Sequence, residues 1–247
     1  MKYSARLWQP LTLICFALLG ACTPVTQSTA PAAQTQDMVT PAENLRDRQP
    51  PTDAQRFSIV AANSELRVLA FRDGPMARFG HNHVIRSGAL SGSVWVAPNV
   101  TDSLVRMVLP VDSLMVDEEA FRAEEGEEFS APVDDKARAG TRKNMLSDKL
   151  LNAAEHAFVR ATCATSDALI LTRPGTIACD IMIAGNTITV IMPLTLSIDG
   201  TQLEAIGEAT VRHEQLGLTP FSAAGGAISV ADGLTLRYKI LAQRLSN

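Results

Sequence analysis

Alternation of apolar and polar residues dominates the second half of this sequence. Between positions 187 and 198 every even-numbered residue is apolar, a set made up of Ile188, Val190, Met192, Leu194, Leu196 and Ile198. The segments 176–183 and 234–241 alternate in the same way. Successive side chains of a β-strand point to opposite faces, so a period of two predicts strands with one buried and one solvated face.

Weaker alternation predicts further strands over 56–61, 65–71, 83–96, 103–111 and 204–213. Turn-forming pairs separate many of these segments, namely Pro174-Gly175, Gly185-Asn186, Asp199-Gly200 and Asp232-Gly233. About eight short strands joined by turns at such spacing are typical of a closed barrel or a sandwich. We therefore expect an all-β, mainly antiparallel fold.

One insertion interrupts the strands between Asp117 and His156. It is rich in glutamate, and because acidic runs are usually solvated, we expect these side chains on the surface. Residues 137–151 have the pattern of a loose helix with one apolar side. Such a helix is suited to cap one end of a barrel as a lid.

The N-terminus predicts export to the cell envelope. Lys2 and Arg6 precede an apolar run that is too short to span a bilayer, which is typical of a signal peptide over residues 1–21. The run ends at Cys22, where LGAC resembles a lipobox, so we expect lipid attachment at Cys22 and anchoring on the periplasmic side of the outer membrane. An ordinary cleaved signal that happens to contain a cysteine is the alternative.

A segment rich in Pro, Ala, Thr and Gln follows the signal. Residues 22–55 lack apolar periodicity, which predicts a flexible tether between the lipid anchor and a folded domain over residues 56–247. The chain has a formal net charge of −4 and no basic stripe, which argues against nucleic acid as a partner.

Two cysteines remain in the predicted folded domain, Cys163 and Cys179. If strands near 157–166 and 176–184 form a hairpin centred on Leu171, the two cysteines lie directly opposite each other. In an oxidising compartment such a pair predicts a disulfide. Two buried free thiols are the alternative.

Several segments in order resemble the YceI-like, polyisoprenoid-binding proteins of bacterial envelopes. The resemblance covers Phe57 to Leu245 and depends on RFGHNHVI at 78–85, LPVDSL at 109–114, GTRKNM at 140–145 and LGLTPF at 216–221. Two departures stand out: His156-Ala157 replaces the proline usual before the Phe158 strand, and the acidic insertion is longer than is typical.

The resemblance implies a lipocalin-like barrel with an elongated apolar cavity for a polyisoprenoid or similar lipid, without a cofactor and without enzymatic activity. The candidate cavity-lining residues are Ile181, Ile183, Val190, Met192, Leu194, Leu236 and Tyr238. The candidate residues for contact with a ligand headgroup are Arg78, His81, Asn82, His83 and Arg86. Periodicity alone does not distinguish a cavity from a filled core.

Two other functions remain open at this point. His81 and His83 point to one side of a strand and can chelate zinc or copper if a third donor such as His156 or His213 joins them. The third reading is a structural lipoprotein adaptor without a ligand. HExxH, CxxC and GxSxG motifs are absent from the sequence, so no catalytic residue is assigned.

Overall fold

The structure is a computed structural model that describes residues 44–245. The predicted signal peptide, Cys22 and most of the predicted tether lie outside the described residues. The strands are β1 Gln55–Ile59, β2 Glu65–Asp73, β3 His83–Ser87, β4 Ser91–Val96, β5 Leu104–Pro110, β6 Met115–Val116, β7 Phe158–Ala164, β8 Gly175–Ile183, β9 Asn186–Asp199, β10 Gln202–Arg212, β11 Ser222–Ala223 and β12 Ile228–Arg244. The helices are α1 Glu119–Glu124 and α2 Asp135–Leu146.

Eight of these strands close into an antiparallel barrel, which confirms the predicted fold class. The order around the barrel is β1, β4, β5, β7, β8, β9, β10 and β12, and β12 pairs with β1 to complete the circle. Closure leaves the alternating apolar residues on the inside, as the period of two predicts. The main core cluster includes Phe57 from β1, Leu203 from β10 and Ala242 from β12, all nearly inaccessible to solvent.

The sheet also extends beyond the closed barrel. The long strand β12 pairs with β1 near its C-terminal end and with β2 along residues 229–239, and β3 and β6 continue outward from β2. The segment 83–96, predicted as one strand, forms both β3 and β4. A turn interrupts it after Ser87, whose hydroxyl accepts a hydrogen bond from the N–H of Ala89.

Two hairpin turns lie one residue away from the predicted pairs, at Ala184-Gly185 and at Gly200-Thr201, and Gly175 already belongs to β8. Ala184 and Gly185 have φ angles of 47° and 81°, as the two central residues of a type I′ hairpin require. Asp232-Gly233, predicted as a turn, lies inside β12, where the register with β2 shifts between Val230 and Leu234. The pair therefore marks a β-bulge, in which an irregular pairing bends the strand without reversing it.

The insertion covers one end of the barrel and one face of the sheet extension formed by β2 and β3. The helix α2 begins after Asp134, whose carboxylate caps it by accepting from the N–H of Ala137, and it ends earlier than predicted, before an extended Ser147. Met145 and Leu151 are buried in the main core cluster together with residues from the β5–β6 connection. This part of the insertion closes the end of the barrel at which β5 finishes.

The acidic part of the insertion lies on the outer face of β2 and β3. Phe121 and Phe129 pack there in a small apolar cluster with Leu69, Phe71 and Val84. The prediction that the acidic side chains are solvated is wrong for Glu125, whose side chain is 2% exposed. Its carboxylate pairs with Arg67 on β2 and Arg237 on β12, so the buried charge is compensated by two guanidinium groups.

Candidate functional site

An apolar cavity of about 190 Å³ lies inside the barrel. Its wall is formed by 26 residues from seven of the eight barrel strands, all but β1, together with residues from β2 and from the connections between strands. Ser103, Thr165 and Tyr238 are the polar members, and none of the lining residues carries a charge. A site without fixed charge or metal-binding groups favours a neutral hydrocarbon chain, because any charged group would lose its hydration there without compensation.

Most of the predicted cavity-lining residues lie on this wall. Ile181, Met192, Leu194, Leu236 and Tyr238 line the cavity. Ile183 and Val190, also predicted, are partly buried and pack against the core clusters instead.

The cavity wall reaches partly exposed residues in the connection between β7 and β8. Leu171 in this connection is 43% exposed and also lines the cavity, and its neighbour Leu169 is 54% exposed. Val100 and Ser103 from the β4–β5 connection line the same end. An exposed apolar rim next to an apolar interior gives a hydrocarbon chain a continuous path from the surface to the cavity.

A disulfide forms part of the cavity wall. Cys163 on β7 and Cys179 on β8 are directly opposed in the register, and their Sγ atoms are bonded to each other. Both residues are buried and both line the cavity. The bridge therefore fixes two neighbouring strands at the point where they face the interior.

A seam in the barrel wall lies between β9 and β10. Pairing of the two strands ends at Thr195 and Ile206. The proline at position 193 has no N–H to donate, so the ladder toward β10 lacks a rung there. Tyr238 from β12 covers the space beside Gly207 and donates its hydroxyl to the carbonyl of Pro193. Burial raises the pKa of Tyr238 to about 12, so this donor stays protonated at neutral pH.

A separate polar cluster lies beside β3. The ring of His83 is bonded through Nδ1 to Asp117 Oδ2 at 2.6 Å, and the ring centroids of His81 and His83 are 4.6 Å apart. Asp117 Oδ1 accepts from the N–H of Val84 at 2.9 Å and from Arg122 Nη1 at 2.6 Å. The sequence pattern identified the two histidines but not the acid and the arginine, which follow in the insertion.

Arg122 organises this cluster from a buried position. Its guanidinium donates to the carboxylate of Asp117 and to the carbonyl oxygens of Asn82, Phe129 and Ala131, at distances from 2.6 to 2.9 Å. The single side chain therefore links α1 to β3 and to the loop after Phe129. Four hydrogen-bond acceptors, one of which is the charged carboxylate of Asp117, compensate the burial of the guanidinium.

The charges of the cluster shift two pKa values. Burial and the nearby charge of His83 lower the pKa of His81. Burial of Asp117 acts to raise its pKa, but bonding to His83, Val84 and Arg122 outweighs burial and lowers it. At neutral pH the cluster therefore holds a neutral His81 and an ionised Asp117.

The other headgroup candidates have structural contacts. The Arg78 guanidinium lies 4.6 Å from the ring of its neighbour Phe79. Asn82 is buried, accepts from the N–H of Arg72 and donates to the carbonyl of Glu128. None of the five headgroup candidates, Arg78, His81, Asn82, His83 and Arg86, is among the residues that line the cavity.

Arg86 belongs to an ion-pair network on the outer face of the sheet. Its Nε donates to Glu65 Oε2 at 2.6 Å, and its guanidinium lies 4.1 Å from the ring of Phe121. Partial burial of Glu65 acts to raise its pKa, but Arg86 and Arg67 outweigh burial and lower it. The network joins the insertion to β2 and β3.

The other two histidines do not join the candidate metal donors. His156 lies against the Gly185 turn, and His213 contacts the backbone carbonyl of Asp232 at 3.0 Å. The sequence-based choice of either residue as third donor is therefore wrong. Within residues 44–245, Asp117 is the third residue whose donor atom lies within 4.8 Å of those of His81 and His83.

The last part of the predicted tether contacts the barrel. The N–H of Leu45 donates to Asp180 Oδ2 at 3.0 Å, and Arg106 Nη2 donates to the carbonyl of Arg48 at 2.8 Å. Residues 44–54 thus follow the outer surface of the sheet before β1 begins. In the described part of the chain, no helix combines the length and the apolar character needed to cross a bilayer.

The fold is similar to those of two solved bacterial proteins. A polyisoprenoid binding domain from Saccharophagus degradans, implicated in plant cell wall breakdown, has a TM-score of 0.52 and 11% identity, and the match covers 76% of this chain and 98% of that chain. BcnA of Burkholderia cenocepacia has a TM-score of 0.52 and 12% identity, with 74% and 98% covered. Identity this low shows the fold alone, which is the lipocalin-like barrel that the resemblance predicted.

No protein-family model matches the sequence, and no curated protein matches it either. The fold and the cavity together define the class of molecule as an antiparallel barrel with an apolar interior site.

Proposed function

We propose that the barrel binds the hydrocarbon tail of a polyisoprenoid or similar lipid in its cavity, as a carrier and not as an enzyme. The observation that carries the proposal is the uncharged wall of 26 residues, which includes the partly exposed Leu171. The solved neighbour described as a polyisoprenoid binding domain adds support through its fold.

The expected affinity comes from apolar burial. Each methylene transferred from water to the interior contributes about 0.8 kcal/mol, so a five-carbon isoprene unit contributes about 4 kcal/mol before ordering of the ligand is subtracted. A cavity of roughly 150 Å³ is known to admit benzene. The 190 Å³ present here therefore suits a short stretch of tail, and the remainder would extend past Leu171.

The wall offers few groups for chemistry. Thr165 donates its hydroxyl to the carbonyl of Thr176, and Tyr238 is held protonated by burial. Neither has a neighbouring general base among the residues that line the cavity. Binding is therefore the function that this site supports.

The test is a binding titration of the full chain with isoprenoid alcohols of two, three and four units, read by displacement of a fluorescent apolar probe. Affinity is expected to rise with length until the cavity is filled and then to level off. To identify the natural ligand, the protein is purified from the cells that produce it naturally, and the lipids extracted from it are analysed by mass spectrometry.

A matched pair of variants on β10 locates the site. Ala205 lines the cavity, while its neighbour Ile206 points outward and is 46% exposed. Ala205→Trp should abolish binding, and Ile206→Trp should leave it unchanged. If the first substitution prevents folding, Ala161→Phe fills the cavity from β7. The proposal would be rejected if the variants with a filled cavity still bind, or if the wild-type chain binds no isoprenoid alcohol of any length. The second result would favour the structural adaptor without a ligand.

We also propose that the chain is a lipoprotein anchored through Cys22 on the periplasmic side of the envelope. This proposal depends on the LGAC sequence that ends the predicted signal peptide. Labelled palmitate should be incorporated into the wild-type chain and not into Cys22→Ser. Equal labelling of both chains would contradict it.

A further inference from the structure

None of the three residues His81, His83 and Asp117, which form a polar cluster, is among the residues that line the cavity. One donor atom from each residue falls within 4.8 Å of the others. We propose that His81 and His83 bind a divalent transition-metal ion of the zinc or copper type, with Asp117 as the carboxylate that orients His83.

The bond between His83 and Asp117 fixes which nitrogen of His83 is free. The carboxylate of Asp117 already accepts from the N–H of Val84 and from Arg122, so we assign it as the acceptor of the 2.6 Å contact as well, with the hydrogen on Nδ1 of His83. In the neutral ring this leaves a lone pair on Nε2. Histidines that bind metals typically donate their second nitrogen to a carboxylate in this way, which fixes both the tautomer and the ring orientation.

His81 has a ring nitrogen that lacks a partner. Its Nε2 is buried and makes no hydrogen bond. A buried polar atom without a partner costs about 1–3 kcal/mol, so the site is stabilised by any ligand that supplies the missing interaction.

The surroundings hold Asp117 in place. Its backbone has a φ of 54°, and its carboxylate is fixed by the N–H of Val84 and by Arg122. Both oxygens are already engaged, and Arg122 balances the negative charge. The residue is therefore suited to position His83 and not to bind the ion directly.

The donor set selects the kind of ion. Two neutral imidazoles without a free carboxylate favour zinc and copper, whereas magnesium and calcium require oxygen ligands. Two protein ligands leave further coordination positions, and the His83 side chain is 15% exposed, so water can reach the site.

The test uses the full chain, freed of metal by a chelator and titrated with zinc, copper and magnesium chloride by calorimetry. We expect one zinc or copper ion for each chain and no heat from magnesium. The nitrogen splitting in the electron paramagnetic resonance spectrum of the copper-loaded chain should correspond to two imidazoles.

Variants assign the ligands. His81→Ala and His83→Ala should each weaken zinc binding by more than about 100-fold, and Asp117→Asn by about 10–100-fold, the range known for orienting partners. His156→Ala is the matched control and should bind as the wild type does. Circular dichroism of each variant verifies folding.

Two results would overturn the proposal. One is a wild-type chain that binds neither ion or shows no nitrogen splitting with copper. The other is unchanged affinity in a folded His81→Ala/His83→Ala chain. Lipid binding is expected to be unaffected in these variants, so the outcome is independent of the proposed function of the cavity.

Discussion

Loss of the Cys163–Cys179 bridge should destabilise the barrel by an amount that the sequence separation determines. The bridge joins residues 16 positions apart. Closing a loop of that length removes enough entropy from the unfolded chain to contribute about 3 kcal/mol to the free energy of unfolding. In a chain of this size each kcal/mol changes the Tm by about 2–4 °C, so reduction should lower the Tm by about 6–12 °C.

The assay is thermal unfolding followed by circular dichroism, with and without a reducing agent. The double variant Cys163→Ala/Cys179→Ala is the matched control, because its Tm should not respond to the reducing agent. Each single variant should lose nearly as much stability as the double variant, since either substitution removes the whole bridge and the effects of bonded partners are not additive.

Two outcomes would refute this reasoning. If the reducing agent leaves the Tm of the wild-type chain unchanged while free thiols become detectable, the bridge contributes little to stability. If the two single variants add up to the double variant, the loss comes from packing of separate buried side chains and not from a shared covalent constraint.

Three further predictions test the other contacts. Arg122→Met should lower the free energy of unfolding in urea by about 3–5 kcal/mol, because it leaves the buried carboxylate of Asp117 without its guanidinium partner. The control Arg138→Met removes a side chain that is 33% exposed and pairs with an exposed aspartate, and it should cost under about 1 kcal/mol. Glu65→Gln should lower the free energy of unfolding at pH values above 4.5, the ordinary glutamate pKa. The wild type loses this stabilisation as the pH falls through the lowered pKa of folded Glu65, so the free energies of unfolding of the two chains should converge in acid. Gly207→Ala places a methyl group against the backbone of β9 and should lower the Tm. An unchanged Tm would show that β9 and β10 move apart there without a cost in stability.

Local patterns were enough to predict the strands and the disulfide. The alternation around Met192 requires one buried face in any arrangement, because strand geometry repeats every two residues. The register of Cys163 and Cys179 follows from the centre of one hairpin, since residues equidistant from a turn face each other. Both inferences need only neighbours along the chain or across a single turn.

Charge patterning was a weaker guide. The acidic residues of the insertion have the composition of a solvated loop, yet Glu125 is buried between Arg67 and Arg237. The two arginines are 58 and 112 positions away from it. Composition cannot reveal such pairs, because the stability of a buried charge depends on which distant side chains surround it.

Only the tertiary structure decided where the sites lie. His81 and His83 read as groups at the mouth of a barrel, but β3 belongs to the extension of the sheet beyond β12, so they meet Asp117 and not the cavity. Alternation gives the same pattern for a filled core and for a lined cavity. The difference depends on how far apart opposite walls stand when eight strands close, a distance set by strand number and tilt and not by any local stretch of sequence.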